Sequence, residues 1–207
     1  MRRTLVLVAL LSTAVGPLLP LAAQGRRDRG LVEVAPPATR GGFFITGGIG
    51  AGGEQFKFED ESDYSETLTK PTITLRLGGT PSANFRVGAE LFGWGSDEAE
   101  GFESFTAGLV SVQYFPIKDQ GLFFKGGAGI AESGFDPDDP FEQSNDETGF
   151  AWSVGAGYDF QLTRKFGIGP SIDFYRASFT MRDQPTLNER VLNIGVQFTF
   201  QTGGLGR

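Results

Sequence analysis

From residue 42 onward, apolar residues recur at every second position and no segment shows a 3.6-residue period. Phe150, Trp152, Val154, Ala156, Tyr158 and Phe160 share one parity, against Ala151, Ser153, Gly155, Gly157, Asp159 and Gln161 on the other. Leu192, Ile194, Val196, Phe198 and Phe200 alternate in the same way with Asn193, Gly195, Gln197 and Thr199. Strand side chains point alternately to opposite faces, so each such segment has one apolar and one polar face. Eight segments follow this rule, over 42–56, 67–80, 85–96, 103–116, 122–134, 148–162, 167–180 and 189–201. Short connections at 81–84, 118–121 and 163–165 alternate with longer acidic ones at 59–63, 97–100, 136–147 and 182–188. That order predicts an up-and-down meander with two different ends.

Alternation alone does not say which face points inward. A soluble ligand-binding barrel packs its apolar face inside, whereas a membrane barrel turns it to lipid. The polar face decides, because it is rich in glycine: Gly78, Gly88, Gly127, Gly129, Gly155, Gly157 and Gly195. A solvated strand surface favours Thr, Lys and Glu, while glycine suits the crowded interior of a narrow barrel. Aromatics also gather near segment ends. Phe56, Trp94, Phe102, Phe105, Phe150 and Trp152 lie at one end, and Phe85, Tyr114, Phe115, Phe160 and Phe166 at the other, as interfacial girdles would. The expectation is an all-β, eight-stranded antiparallel up-and-down transmembrane β-barrel over 42–201.

The residues before it read differently. Met1-Arg2-Arg3 precedes an apolar run from Thr4 to Val15, broken by Pro17 and Pro20 and ending at Ala22-Ala23. This predicts a cleaved signal peptide over 1–23, with export across an inner membrane. Residues 24–41, with Arg26, Arg27, Arg29 and Pro36-Pro37, read as a flexible periplasmic lead-in, and 202–207 as a C-terminal tail.

Composition narrows the chemistry. The chain has no cysteine and no histidine. That excludes disulfides, thiolate metal sites, thiol nucleophiles and every mechanism that needs an imidazole base. A net charge of −7 argues against nucleic acid as a partner. Gly48-Ile49-Gly50-Ala51-Gly52-Gly53 has the spacing of a dinucleotide fingerprint, but no helix follows it, so it reads as barrel backbone. The acidic connections lack the EF-hand pattern and read as solvated loops. No catalytic, cofactor-binding or metal-binding residue is expected.

Charges on the glycine-rich parity carry more information: Lys70, Arg76, Arg86, Glu90, Lys125, Asp159 and Asp173. Both signs occur, as an interior network of ion pairs requires. The short turn at 81–84 places Arg76 opposite or diagonal to Glu90. A symmetric hairpin about Phe141-Glu142 places Lys125 opposite Asp159.

The last strand, Asn193-Ile194-Gly195-Val196-Gln197-Phe198-Thr199-Phe200, resembles the C-terminal assembly signal of Gram-negative outer-membrane barrels, with Asn193, Gly195, Phe198 and Phe200 at its signature positions. The chain after the leader is similar to the small eight-stranded OmpA/OmpX-like barrels of the porin family. The resemblance implies an outer-membrane location, with short turns in the periplasm and long loops outside. It also implies outer-membrane lipid, LPS and the barrel assembly machinery as partners, a monomer, no cofactor and no catalytic motif. Enzymes built on such barrels generally use a histidine, which this chain lacks. The expected role is structural or surface-interacting, with a lumen closed by internal ion pairs. A narrow passive channel for small solutes is the alternative.

Overall fold

A computed structural model describes residues 40–98, 101–137, 145–180 and 185–203; the expected signal peptide and nearly all of the lead-in lie outside them. The strands are β1 (Gly42–Phe58), β2 (Leu68–Ser82), β3 (Phe85–Glu98), β4 (Gly101–Tyr114), β5 (Leu122–Pro137), β6 (Asn145–Tyr158), β7 (Phe160–Gln161), β8 (Phe166–Phe179) and β9 (Leu187–Gln201). β6 and β7 pair with β8 in one continuous register, through Phe150↔Ser178 and Phe160↔Ile168. They form a single stave interrupted at Asp159, so the sheet has eight staves. β1 closes it by pairing antiparallel with β9, from Phe44↔Gln201 to Phe58↔Leu187. Closure leaves no unpaired edge, which a sheet in lipid requires because no water is there to satisfy free N–H and C=O groups.

Burial is inverted relative to a soluble protein. Along β2, Lys70, Thr72, Thr74 and Arg76 are buried, while Ile73 and Leu77 between and beyond them are 50% and 42% exposed. The same inversion leaves Ile49, Val110, Ile130 and Ile194 among the most exposed points of an outer apolar band. A soluble domain does not carry such a surface. Facing hydrocarbon, it is the lowest-energy arrangement available.

The main strands run 14 to 17 residues, whereas about 9–11 tilted residues cross a bilayer. The excess lies at the end carrying the longer connections. β3 and β4 stay paired to Glu98↔Gly101, and β4 and β5 to Gly101↔Pro137. The strands therefore run into both stretches expected as longer acidic connections, with β3 and β4 paired as far as residues 98 and 101 around 97–100, and β5 and β6 paired as far as Phe135 and Asn145 around 136–147. The ladder propagates through backbone hydrogen bonds into residues whose polar composition, set by water rather than lipid, no longer alternates.

Candidate functional site: the barrel interior

The interior is built in levels, and the middle one is a closed ring of four charges. Arg76 on β2 lies directly opposite Glu90 on β3. Glu90 Oε2 forms an ion pair with Arg76 Nε at 3.1 Å, and Oε1 accepts a hydrogen bond from Lys125 Nζ at 2.6 Å. Asp173 on β8 completes the circuit, with Oδ1 3.0 Å from Lys125 and Oδ2 3.4 Å from Arg76. Each carboxylate thus gives one oxygen to each cation, and the ring is neutral. All four side chains are essentially inaccessible to solvent. The Tyr175 hydroxyl donates to Glu90 at 2.6 Å and accepts from Lys125 at 3.0 Å, and Arg76 also donates to Gln197 at 2.8 Å. Buried charges persist only when paired and hydrogen-bonded in this way.

One glycine makes the circuit possible. Gly155 on β6 is the direct ladder partner of Lys125 on one side and of Asp173 on the other. A Cβ built on Gly155 would run into the Asp173 carboxylate. Without one, the two side chains meet over its backbone, across two strand spacings. Lys125 accordingly pairs with Asp173 and Glu90, and not with Asp159 as expected. The β5–β6 hairpin is offset from the assumed symmetry, so that Lys125 faces Gly155. Asp159 falls just past the last pair, Leu122↔Tyr158.

Asp159 belongs to the level nearest the short turns. Arg86 binds it at 3.2 Å and donates to Gln201 at 2.9 Å. The Arg86 guanidinium lies 5.2 Å from the Phe44 ring centre and 5.1 Å from that of Phe115. Arg40, just before β1, stacks on Phe115 at 3.8 Å and donates to the carbonyls of Lys118 and Gln120. Burial, reinforced by the Arg86 charge, pushes Arg40 down to about 10 despite the pull of Asp159 and Asp119.

Above the ring, toward the long loops, lies an apolar level. Phe92 stacks on Tyr175 at 3.8 Å and meets Phe105 edge-on at 6.2 Å, among Ala107, Ala131, Ala151, Ala177 and Phe179. Above that level the interior opens into a cavity of about 230 Å³ walled by Glu54, Glu103, Glu147, Glu189, Trp94 and Phe135. Lys70 reaches Glu103 at 3.4 Å and sits 5.2 Å from the Trp94 ring centre.

The seven lumen charges inferred from parity are all buried in the interior, but they divide between three levels. Parity reasoning missed Arg40, Glu54, Glu103 and Glu189, although Glu54 shares the parity of Phe44 and Thr46, and Glu103 that of Phe105. It also misassigned part of the girdles. Trp94, Phe105 and Phe115 are 8%, 1% and 0% exposed and point inward, and Phe56 lines the mouth of the cavity. Trp94 shares its parity with Arg86 and Glu90, so that signal was present and was overridden by position near a strand end. Phe102, Phe150, Phe85, Tyr114 and Phe160 do face outward. On β9, Asn193 is buried and receives a hydrogen bond from Thr72, while Phe198 and Phe200 face outward.

This geometry defines a membrane barrel with a polar, charge-paired interior. Residues 30–200 match the family described as the outer membrane protein beta-barrel domain, and the chain belongs to that family. It is an outer-membrane β-barrel protein of the Gram-negative type, whose strands cross the membrane. Among solved structures, Neisserial surface protein A is similar with a TM-score of 0.53 and 11% identity, covering 75% of this chain and 95% of that one. Ail, the attachment invasion locus protein of Yersinia pestis, gives 0.43 and 16% over 76% and 99%. OprG from Pseudomonas aeruginosa gives 0.42 and 15% over 81% and 99%. The likeness to the neisserial protein is one of fold. No curated protein matches in sequence.

Proposed function

We propose that this protein is a non-enzymatic outer-membrane barrel with a structural or surface-interaction role, whose lumen is closed by its internal ion pairs. The observation that carries this reading is the neutral ring of Arg76, Glu90, Lys125 and Asp173, spanning from β2 to β8 across the lumen. The aromatic level above it and the Arg86–Asp159 level below it place further buried side chains in the lumen. Between Thr46, Thr74 and Asn193 beside the ring there is a cavity of about 10 Å³, room for about one water molecule. The long loops present the surface available to partners, and the apolar band is in contact with lipid and LPS. The sequence contains no histidine or cysteine, and no serine in the interior lies against a basic partner in the hydrogen bonds described above, which supports a non-catalytic role.

Liposome swelling tests the closed lumen against a narrow passive channel. Vesicles carrying the refolded protein should swell in isosmotic arabinose no faster than protein-free vesicles. Rapid swelling would favour the channel. Mass spectra of lipid A and phospholipids from expressing and non-expressing cells should match, and a new acylated or deacylated species would overturn the non-enzymatic reading.

A further inference from the structure

The outer wall changes character along the neighbouring staves β8 and β9. At the short-turn end their outward positions begin with Phe166 opposite Phe200, and the ladder continues outward-facing and apolar up to Ile172↔Ile194 and Phe174↔Leu192. The next outward pair is Arg176↔Arg190. From Phe166 to Arg176, and from Phe200 back to Arg190, is the length of chain that crosses the hydrocarbon, about 9–11 tilted residues. The two arginines therefore stand on adjacent strands at the level where lipid tails give way to headgroups, and both are half-buried. Directly opposed side chains lie about 5 Å apart at Cβ, and like charges so placed repel. Among the described residues no carboxylate forms an ion pair with either.

Arg190 is held in place from one side. Its Nε and Nη2 donate to Gln55 Oε1 at 3.0 and 2.8 Å, and its guanidinium carbon lies 3.6 Å from the centre of the Tyr64 ring. Lys57, one diagonal step from Arg190 across the β1–β9 ladder, sits 5.2 Å from the same ring. On the other side, Trp152 is the direct ladder neighbour of Arg176 and packs at 5.7 Å against Phe174. Cations set among interfacial aromatics, directly above an apolar wall, match an anion whose body continues into the lipid. Phosphate oxygens suit guanidinium forks, and their charge would cancel the repulsion between the opposed arginines. Acyl chains of the same molecule would lie along Phe174, Leu192 and Ile194 beneath. We propose that Arg176 and Arg190, with Lys57, bind the phosphate group of an anionic membrane lipid in the leaflet at the long-loop end. The site rests on the surface-interaction reading of the barrel and not on its closed lumen, so a conducting lumen would leave it in place.

Native mass spectrometry of the full protein, refolded in an uncharged maltoside detergent, reads bound lipid directly. Dilauroyl phosphatidic acid should form a one-to-one adduct at least about tenfold tighter than dilauroyl phosphatidylcholine, which has the same chains. Arg176→Gln, which leaves the Gln55 and Tyr64 contacts of Arg190 in place, should weaken phosphatidic acid by about tenfold. Arg190→Gln, on the neighbouring strand, should do the same, and each variant should keep the heat-modifiable migration of a folded barrel. Lys118→Gln with Lys165→Gln, at exposed positions in the short turns, removes more positive charge from the opposite end and should leave the adduct unchanged. Glycerol 3-phosphate, a phosphate without chains, should compete at least about a hundredfold more weakly than the lipid. Three results would overturn the proposal: equal retention of the two lipids, an equal loss from the short-turn variant, or competition by glycerol 3-phosphate at the lipid's own concentration, which would make the ligand a free phosphate.

Discussion

The two halves of the interior share one tube and one alternating pattern, yet they solve the problem of buried charge in opposite ways. From the short turns to the ring, cations and carboxylates meet at 2.6 to 3.4 Å, and Gln197 and Gln201 each accept one further hydrogen bond from Arg76 and Arg86. From Trp94 to the long loops, carboxylates outnumber cations among the described residues around an open cavity. Space left in a small barrel is costly to leave unfilled in the membrane core, where a lone charge has neither water nor partner. At the mouth, water and solutes can supply what the chain does not. The lower half is thus filled with paired charge, and the upper half opens into a cavity.

The largest expected effect removes both halves together. We expect Phe198→Ala with Phe200→Ala to leave the protein degraded or periplasmic if the β9 spacing is an assembly signal. A heat-modifiable barrel recovered from the outer membrane at normal levels would remove that role from these aromatics.

Next comes the ring. Glu90→Gln leaves Arg76 and Lys125 short of a carboxylate in a site that excludes solvent, and should cost about 3–5 kcal/mol in urea unfolding in lipid. Glu90→Gln combined with Arg76→Gln should cost clearly less than the sum of the single changes, since a neutral pair remains neutral. Additive effects would show that the pair does not act as a unit.

A smaller effect is expected at Gly155. Gly155→Ala places a methyl group against the Asp173 carboxylate and should destabilise by about 1–3 kcal/mol, as overpacking does. The same change at Gly79, where an added Cβ meets nothing within 4 Å, should be close to neutral. Equal costs at the two positions would mean that Gly155 is not holding the crossing open.

The smallest effect belongs to the mouth. Glu103 is 38% exposed, and Glu103→Gln should change stability by no more than about 1 kcal/mol, because water screens a half-exposed pair. A loss as large as that of Glu90→Gln would erase the distinction between plug and mouth.

Much of this was legible in the sequence, for physical reasons. A barrel wall touches lipid on one side and packed protein on the other, so period two survives through each membrane-crossing stretch, and the glycine-rich parity reveals which side is inside. The short turn at 81–84 made the Arg76–Glu90 pairing readable, because a tight connection leaves little freedom of register. The Lys125–Asp173 contact was not readable. It spans two ladders and depends on the register of a long hairpin, which Phe141-Glu142 symmetry misjudged. The strand ends beyond the membrane were lost because water imposes no alternation there. Trp94 was misplaced for a different reason: closeness to a strand end was weighed above parity, and a tryptophan at the mouth of a barrel satisfies both descriptions.

Conductance in a planar bilayer tests the central claim most directly, because a plugged lumen and a continuous one differ in kind. The unmutated protein should add no stable conductance steps in molar salt, and Glu90→Gln with Arg76→Gln, which leaves the side chains nearly as large, should add none either. Reproducible open-channel steps from the unmutated protein would contradict the plug and make the barrel a passive pore.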